Sequence, residues 1–178
     1  VVGAEKMTQL DTPTNLELLG RSFSYLWEFH HSGITFPGYY ALYATAHMAK
    51  YGTREEDMAL VAVKNHKYGS MNPYAHFQRK VSIEEVLSSR VVAWPIKLYD
   101  CCPISDGAAA VVLASERAVR ELGIDTPIWI KAIGYSSDTA NLSMRDGYVG
   151  LKASVVASRQ AYEMAGITPA QLDLALFH

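Results

Sequence analysis

Few side chains in this 178-residue chain are of a type and spacing that could do chemistry, and His178 is the first of them. It ends an apolar run, Leu172-Asp173-Leu174-Ala175-Leu176-Phe177, that predicts a strand. In open α/β sheets, ligand sites gather at the carboxyl ends of strands. A histidine there is a candidate oxyanion donor, general base or partner of a nucleophile. The plainer alternative is a half-buried ring bonded to a neighbouring carbonyl. Cys101 and Cys102 come next. A nucleophilic thiolate needs a nearby base or helix N-terminus. The local sequence supplies neither, and Asp100 beside the pair favours the thiol. Free cysteine is among the most buried residue types, so a structural role is expected for both. Lys64-Asn65-His66-Lys67 is basic and falls on a predicted helix. It reads as a solvated face or, more sharply, as a lure for an anionic ligand such as a nucleotide phosphate. His30 and His31 read as solvated or capping a helix end. His47, His66 and His76 are too scattered for a metal site, and no Gly-rich phosphate loop is present.

The elements that must position these groups can be read from patterning. Ala108–Leu113 is short, apolar and bounded by turn signals, which predicts a fully buried central strand fed by the loop Asp100–Gly107. Val1–Met7, Val91–Trp94 and Pro127–Gly134 predict further strands; Pro95 confines the second of these to an edge. Leu10–Phe36 has no clear period and reads as irregular, with a helix near Leu16–Trp27. Pro37 and Gly38 open a helix from about Tyr39 to Tyr51, closed by Gly52. Thr53-Arg54-Glu55-Glu56 and Ser82-Ile83-Glu84-Glu85 each have the pattern of a capping box. The helix after Thr53 is expected to carry Met58, Val61, Ala62 and Asn65 on one face and to end near Gly69. Ser115 caps a helix to Leu122, and Leu151–Ala165 is a helix stopped by Gly166. Strands and helices alternate through the second half, which predicts a layered α/β architecture. A weak echo between the halves suggests an internal duplication.

Composition excludes several functions. Hydrophobic residues make up 49% and charged residues 19%, which is globular. A net charge of −2 leaves no basic excess for nucleic acid or a membrane surface. No run approaches the roughly 18 apolar residues of a membrane span. Adjacent cysteines do not suit disulfide geometry, so the chain reads as cytoplasmic and reduced. Val1 follows no initiator methionine, and the apolar run at Leu174–Phe177 asks for a continuation; the chain reads as an interior piece of a longer protein.

Four motifs, in order along the chain, resemble the thiolases, above all the sterol-carrier-protein-X type and the archaeal acetyl-CoA acetyltransferases. Val1-Val2-Gly3-Ala4-Glu5-Lys6-Met7 resembles the family's strand ending in Glu-x-Met. Lys50-Tyr51-Gly52-Thr53, Lys64-Asn65-His66-Lys67 and Asn72-Pro73-Tyr74 together resemble the loop domain of the sterol-carrier subgroup. Cys101-Cys102-Pro103-x-Ser105-Asp106-Gly107-Ala108-Ala109-Ala110 is similar to the signature before the last strand of the N-terminal half. Tyr162-x-x-Ala165-Gly166-Ile167-Thr168-Pro169 through Phe177-His178 resembles the approach to the His-Asp-x-Phe motif.

The resemblance implies a layered α-β-α-β-α fold of two duplicated halves with an inserted loop domain, only part of each half being present. Residues 1–8 would end the N-terminal half, 9–90 form the loop domain, 91–124 complete that half, and 125–178 begin the C-terminal half. It implies acyl transfer between coenzyme A thioesters by Claisen condensation or thiolysis, with no permanently bound cofactor and no metal. His178 would belong to the oxyanion apparatus, while Leu98 and Cys102 would line the channel for the pantetheine arm. Cys101 and Cys102 are not the nucleophile. The family's catalytic cysteines would lie before Val1 and after His178, so the 178 residues alone would lack turnover. A homodimer or tetramer is implied, and in part of the family an OB-fold and zinc-ribbon partner protein. That branch contains lyases, retro-aldolases on coenzyme-A-linked side chains, which are the rival enzymatic reading. A non-catalytic acyl-CoA-binding subunit is the rival from outside the enzymes.

Overall fold

A computed structural model describes residues 1–125 and 127–177, and the chain is mixed helix and strand. It divides into two compact units. The larger comprises residues 2–109 and 140–150; the smaller comprises Val1, residues 110–139 and residues 151–178.

The larger unit is mainly helical. Strand β1 (Val2–Glu5) is followed by α1 (Thr12–Gly20), a π-helical turn (Tyr25–His31), α2 (Phe36–Tyr51), α3 (Glu55–Gly69) and α4 (Ile83–Ser88). The chain then forms the antiparallel hairpin β2 (Val91–Ala93) and β3 (Ile96–Lys97) and a 3₁₀ turn (Leu98–Asp100). It ends at β4 (Gly107–Ala110), which pairs with β1.

Local chemistry explains the helix ends. The Asp11 carboxylate caps α1 by accepting from Thr14 N at 2.9 Å. Thr35 caps α2, whose second residue is Pro37, and Gly52 closes it in the left-handed conformation, at φ +70°. Ser82 and Glu85 form the expected reciprocal box, at 3.2 Å and 2.9 Å. The box expected at Thr53 is shifted by one residue. Arg54 is the N-cap, and its amide donates to Asp57 Oδ2 at 2.9 Å. Thr53 Oγ1 instead meets His47 Nδ1 at 2.8 Å. Of the face expected on α3, Ala62 is buried, and Ala59 with it, whereas Val61 and Asn65 are exposed.

Those two alanines matter because small residues let α3 and α4 approach closely. Ala59, Ala62, Val81 and Val86 form the core, with Val63, Ile83, Leu87 and Tyr99 packed against it. Val86 is 1% exposed; burying a side chain of that size contributes about 1.5–3 kcal/mol. A second, aromatic cluster joins Phe23, Phe36, Tyr39, Tyr43 and Tyr148, with ring centroids 5.3–5.9 Å apart. Offset and edge-on pairs at such spacing each add about 0.5–1.5 kcal/mol beyond area burial.

The smaller unit holds α5 (Glu116–Glu121) and α6 (Lys152–Ala165). Ser115 caps α5 and Gly166 closes α6, both as expected. Residues 127–134 run beside α6, where Tyr135 N donates to Gln160 Oε1 at 3.1 Å. A Cβ on Gly134 would collide with the Ala157 carbonyl, so only glycine fits there.

Three strand expectations are corrected. Ala108–Leu113 is a strand only through Ala110, and β4 is exposed at all four residues rather than buried; Val112 is 93% exposed. Pro127–Gly134 and Leu172–Phe177 carry no strand. The physical reason is shared. A strand exists when a neighbour takes up its backbone N–H and C=O groups, whereas apolar, β-branched composition reports only a preference for burial. β4 has β1 as its sole partner among the described residues, and neither of the other two segments has one. The irregular stretch Leu10–Phe36 is also more ordered than expected, holding α1 and the π-helical turn.

Candidate functional site

The lead-in to β4 carries Leu98 and Cys102, and it is positioned from β3. Lys97 ends β3 with its side chain buried and paired to Glu55 on α3. Glu55 also accepts from Trp94 Nε1 at 3.2 Å. The Lys97 amide donates to Asp100 Oδ2 at 2.8 Å and the Leu98 amide to Arg90 O at 2.9 Å. These bonds fix the 3₁₀ turn, and Leu98, its first residue, remains 47% exposed.

Past the turn the two cysteines differ. Cys101 is half-buried, with Sγ 3.5 Å from the Lys97 carbonyl that accepts from it. Burial first, and then the Asp100 charge, push its thiol pKa up. Cys102 is exposed. Thiolate fraction and access both govern alkylation. Iodoacetamide at neutral pH should therefore modify Cys102 at least about tenfold faster than Cys101. Peptide mass spectrometry over a time course measures this; equal rates would contradict the placement.

The lead-in then closes on β1. Asp106 accepts from Thr8 Oγ1 at 2.6 Å, Thr8 N at 2.9 Å and Met7 N at 2.8 Å. The Thr8 hydroxyl first, then the Thr8 amide, hold this carboxyl below its ordinary value. A depressed folded pKa stabilises above the unfolded value of about 3.9, and the contribution is lost as pH falls through the folded value. Asp106→Asn should thus be less stable than the parent at pH about 6, and the gap should close as pH falls below about 3.9. Urea midpoints across that range test it, and a gap independent of pH would sink the assignment. Beside Asp106, His76 Nδ1 lies 2.6 Å from Ser105 Oγ.

The other sequence candidates are dispersed. His66 Nδ1 lies 3.1 Å from the Arg79 carbonyl. Lys64, Asn65 and Lys67 are exposed, in keeping with a solvated face. His30 and His31 occupy the last turn of the π-helical segment. His178 lies outside the described residues. Among the described residues, no cluster of three or more His, Cys, Asp or Glu side chains could hold a metal. No helix among them is long and apolar enough to cross a membrane.

Sequence reasoning missed one carboxylate. Glu28, in the π-helical turn, is 7% exposed. Its Oε1 accepts from Leu142 N at 2.5 Å and Ser143 N at 3.3 Å, while Oε2 is buried with no hydrogen-bond partner among the described residues. The available signal was an acid placed between Trp27 and Phe29 in an aromatic stretch.

The chain belongs to the thiolase family, matching the thiolase N-terminal domain over residues 1–117. It is 43% identical over 176 residues to an acetyl-CoA acetyltransferase of Methanothermobacter thermautotrophicus, covering 99% of this chain and 45% of that protein. It is 40% identical over 146 residues to the benzoylsuccinyl-CoA thiolase subunit BbsB of Thauera aromatica, covering 82% of this chain and 38% of the other. Among solved structures, the Ltp2-ChsH2(DUF35) aldolase superposes with a TM-score of 0.70 at 31% identity, covering 82% of this chain and 39% of that one. The chain therefore spans less than half the length of these relatives.

Proposed function

We propose that this chain is part of an acyl-CoA acyltransferase, an acetyl-CoA C-acetyltransferase that makes or breaks a carbon–carbon bond between coenzyme A thioesters. The observation that carries this reading is 43% identity to an acetyl-CoA acetyltransferase across 99% of the chain. In this reading the fold completes to the layered α-β-α-β-α arrangement of duplicated halves. Residues 9–90 serve as the inserted loop domain, flanked by 1–8 and 91–124 of the first half, and 125–178 open the second. His178 donates to the oxyanion. Leu98 and Cys102 line the pantetheine channel, a role to which the exposure of Leu98 on the braced turn and of Cys102 just past it is suited. The catalytic cysteines lie outside these residues, no cofactor is permanently held, and the assembly is a cytoplasmic homodimer or tetramer.

A second reading is favoured by one observation, the 31% identity and TM-score of 0.70 to the Ltp2-ChsH2(DUF35) aldolase. There the protein is a lyase working with an OB-fold partner. The whole protein carrying this chain, incubated with acetoacetyl-CoA and free coenzyme A, should yield two acetyl-CoA per substrate consumed, measured chromatographically. His178→Ala should lower turnover by about 10²–10³, as removing an oxyanion donor does elsewhere. Absence of thiolysis, with cleavage of a β-hydroxyacyl-CoA that consumes no free coenzyme A, would replace the transferase by the lyase.

A further inference from the structure

A serine and a histidine meet in the larger unit at positions to which the acyl-transfer reading gives no role. Ser105 Oγ lies 2.6 Å from His76 Nδ1, and the two residues are 29 apart in sequence. Ser105 is half-buried and His76 exposed, so one side of the pair is open. The hydroxyl has a second acceptor in the Pro103 carbonyl, at 3.4 Å. A bond of that length is weak, and the ring nitrogen is the better acceptor for the hydroxyl proton.

Both partners are held from behind. His76 sits in a tight loop after α3. There Ala75 N donates to Asn72 O at 3.1 Å, and the Gln78 side-chain amide donates to Pro73 O at 2.9 Å and Ala75 O at 3.3 Å. The His76 ring centroid is 4.6 Å from that of Phe77, which in turn stacks on His66 at 6.1 Å. Ser105 is fixed through its neighbour, because Asp106 spends its carboxylate on Met7 and Thr8. The pair is therefore a dyad, with ring packing in place of a third, orienting carboxylate. A serine hydroxyl within hydrogen-bond reach of a positioned histidine is the arrangement that activates a nucleophile. Such a site also needs donors for the charge that develops on its substrate. Neither the Ser105 nor the Asp106 amide donates to a backbone carbonyl among the described residues. The amide of a nucleophile and that of the residue after it are donors that serine hydrolases use in this way.

We propose that Ser105 is a nucleophile with His76 as its general base, and that the pair moves short acyl groups from activated esters or thioesters to water. Oγ bonds to the acyl carbon as its proton passes to His76 Nδ1. The bond from that carbon to the leaving oxygen or sulfur breaks, and the leaving group departs with the electron pair. Water then adds to the acyl carbon while His76 takes its proton. The carbon–Oγ bond breaks, Oγ regains a proton from His76, and a carboxylate is released. The half-buried serine favours a short acyl group. The inference stands on the dyad and does not depend on acyl transfer between coenzyme A thioesters.

The probe is para-nitrophenyl acetate, given to the full chain, with acetylated residues located by peptide fragmentation in a mass spectrometer. Ser32 supplies the background, being exposed and giving its hydroxyl to the Trp27 carbonyl at 2.8 Å. Ser105 should acetylate at least about 10²-fold faster than Ser32, the lower end of what a positioned base contributes. His76→Gln keeps a hydrogen-bonding group beside Oγ but removes the base. It should slow Ser105 acetylation by about 10²-fold with an unchanged circular dichroism spectrum. Should that variant fail to fold, the contrast between Ser105 and Ser32 in the parent decides alone. Ser105 acetylated no faster than Ser32, or as fast in folded His76→Gln as in the parent, would overturn the proposal.

Discussion

Glu28→Ala is expected to destabilise the larger unit by about 3 kcal/mol and to release residues 140–150 from it. Hydrogen bonds to an ionised group are worth about 1.5–3 kcal/mol each when broken by removal of one partner. Glu28 accepts two, at 2.5 Å and 3.3 Å, and the longer is the weaker. The amides it satisfies start a 3₁₀ turn, Leu142–Met144, whose first residue is buried. Deleting the carboxylate leaves the Leu142 N–H facing a cavity in place of an acceptor. One effect opposes this: Oε2 is buried without a partner among the described residues, so its desolvation penalty disappears with the side chain. The balance favours loss because an orphaned donor and a void are both created. Glu28→Gln keeps an oxygen where Oε1 sits and should cost about 1 kcal/mol. Urea unfolding gives the energies, and hydrogen exchange at Leu142 and Ser143 gives the location. If Glu28→Ala matched the parent in both, the anchor would be irrelevant to the fold.

The second large effect is at Glu55. Replacing it by Ala should cost about 3 kcal/mol, because breaking a buried pair strands the remaining charge. The stranded group is Lys97, whose side chain is 8% exposed, whereas Glu55 is 31% exposed and better solvated. The converse change, Lys97→Met, should therefore cost less than Glu55→Ala. The double variant Glu55→Leu with Lys97→Met should recover most of the loss, since an apolar pair of similar volume is often as stable as a buried ion pair. The consequence reaches the proposed channel wall. Lys97 ends β3 and starts the turn carrying Leu98, so Glu55→Ala should also quicken Cys101 alkylation, in proportion to local opening. A double variant no more stable than Glu55→Ala would show that the pair does more than neutralise a buried ammonium.

Much of the local structure was legible because it is encoded locally. Ser82 and Glu85, Ser115, Gly52 and Gly166 act on backbone groups within a turn of themselves, so each helix end they mark is where patterning placed it. Thr53 shows the limit. Thr53 and Arg54 both offer an acidic residue three positions on, at Glu56 and Asp57. In the structure Arg54 is the N-cap, and the Thr53 hydroxyl pairs with His47 instead. The local sequence names Asp100 as the influence on the cysteine thiols, and for Cys101 it is not the main one. Asp100 is the secondary influence on Cys101, and burial is the first. Burial is a property of the packed turn, which no neighbour in sequence reveals.

By itself, then, the sequence determined several helix ends, a net charge of −2 and the family, because caps, composition and motif order are all properties of short stretches. Only the tertiary structure decided which apolar runs become strands, since a strand needs a partner's backbone: Gly107–Ala110 found β1, and Pro127–Gly134 did not. Only it joined Lys97 to Glu55, Asp106 to Thr8, and Glu28 to Leu142 across 42, 98 and 114 residues. Such pairs carry no periodic signal. Lys97 and Glu28 alone look like ordinary surface charges, and their roles arise when the fold removes water from around them and leaves a partner within reach.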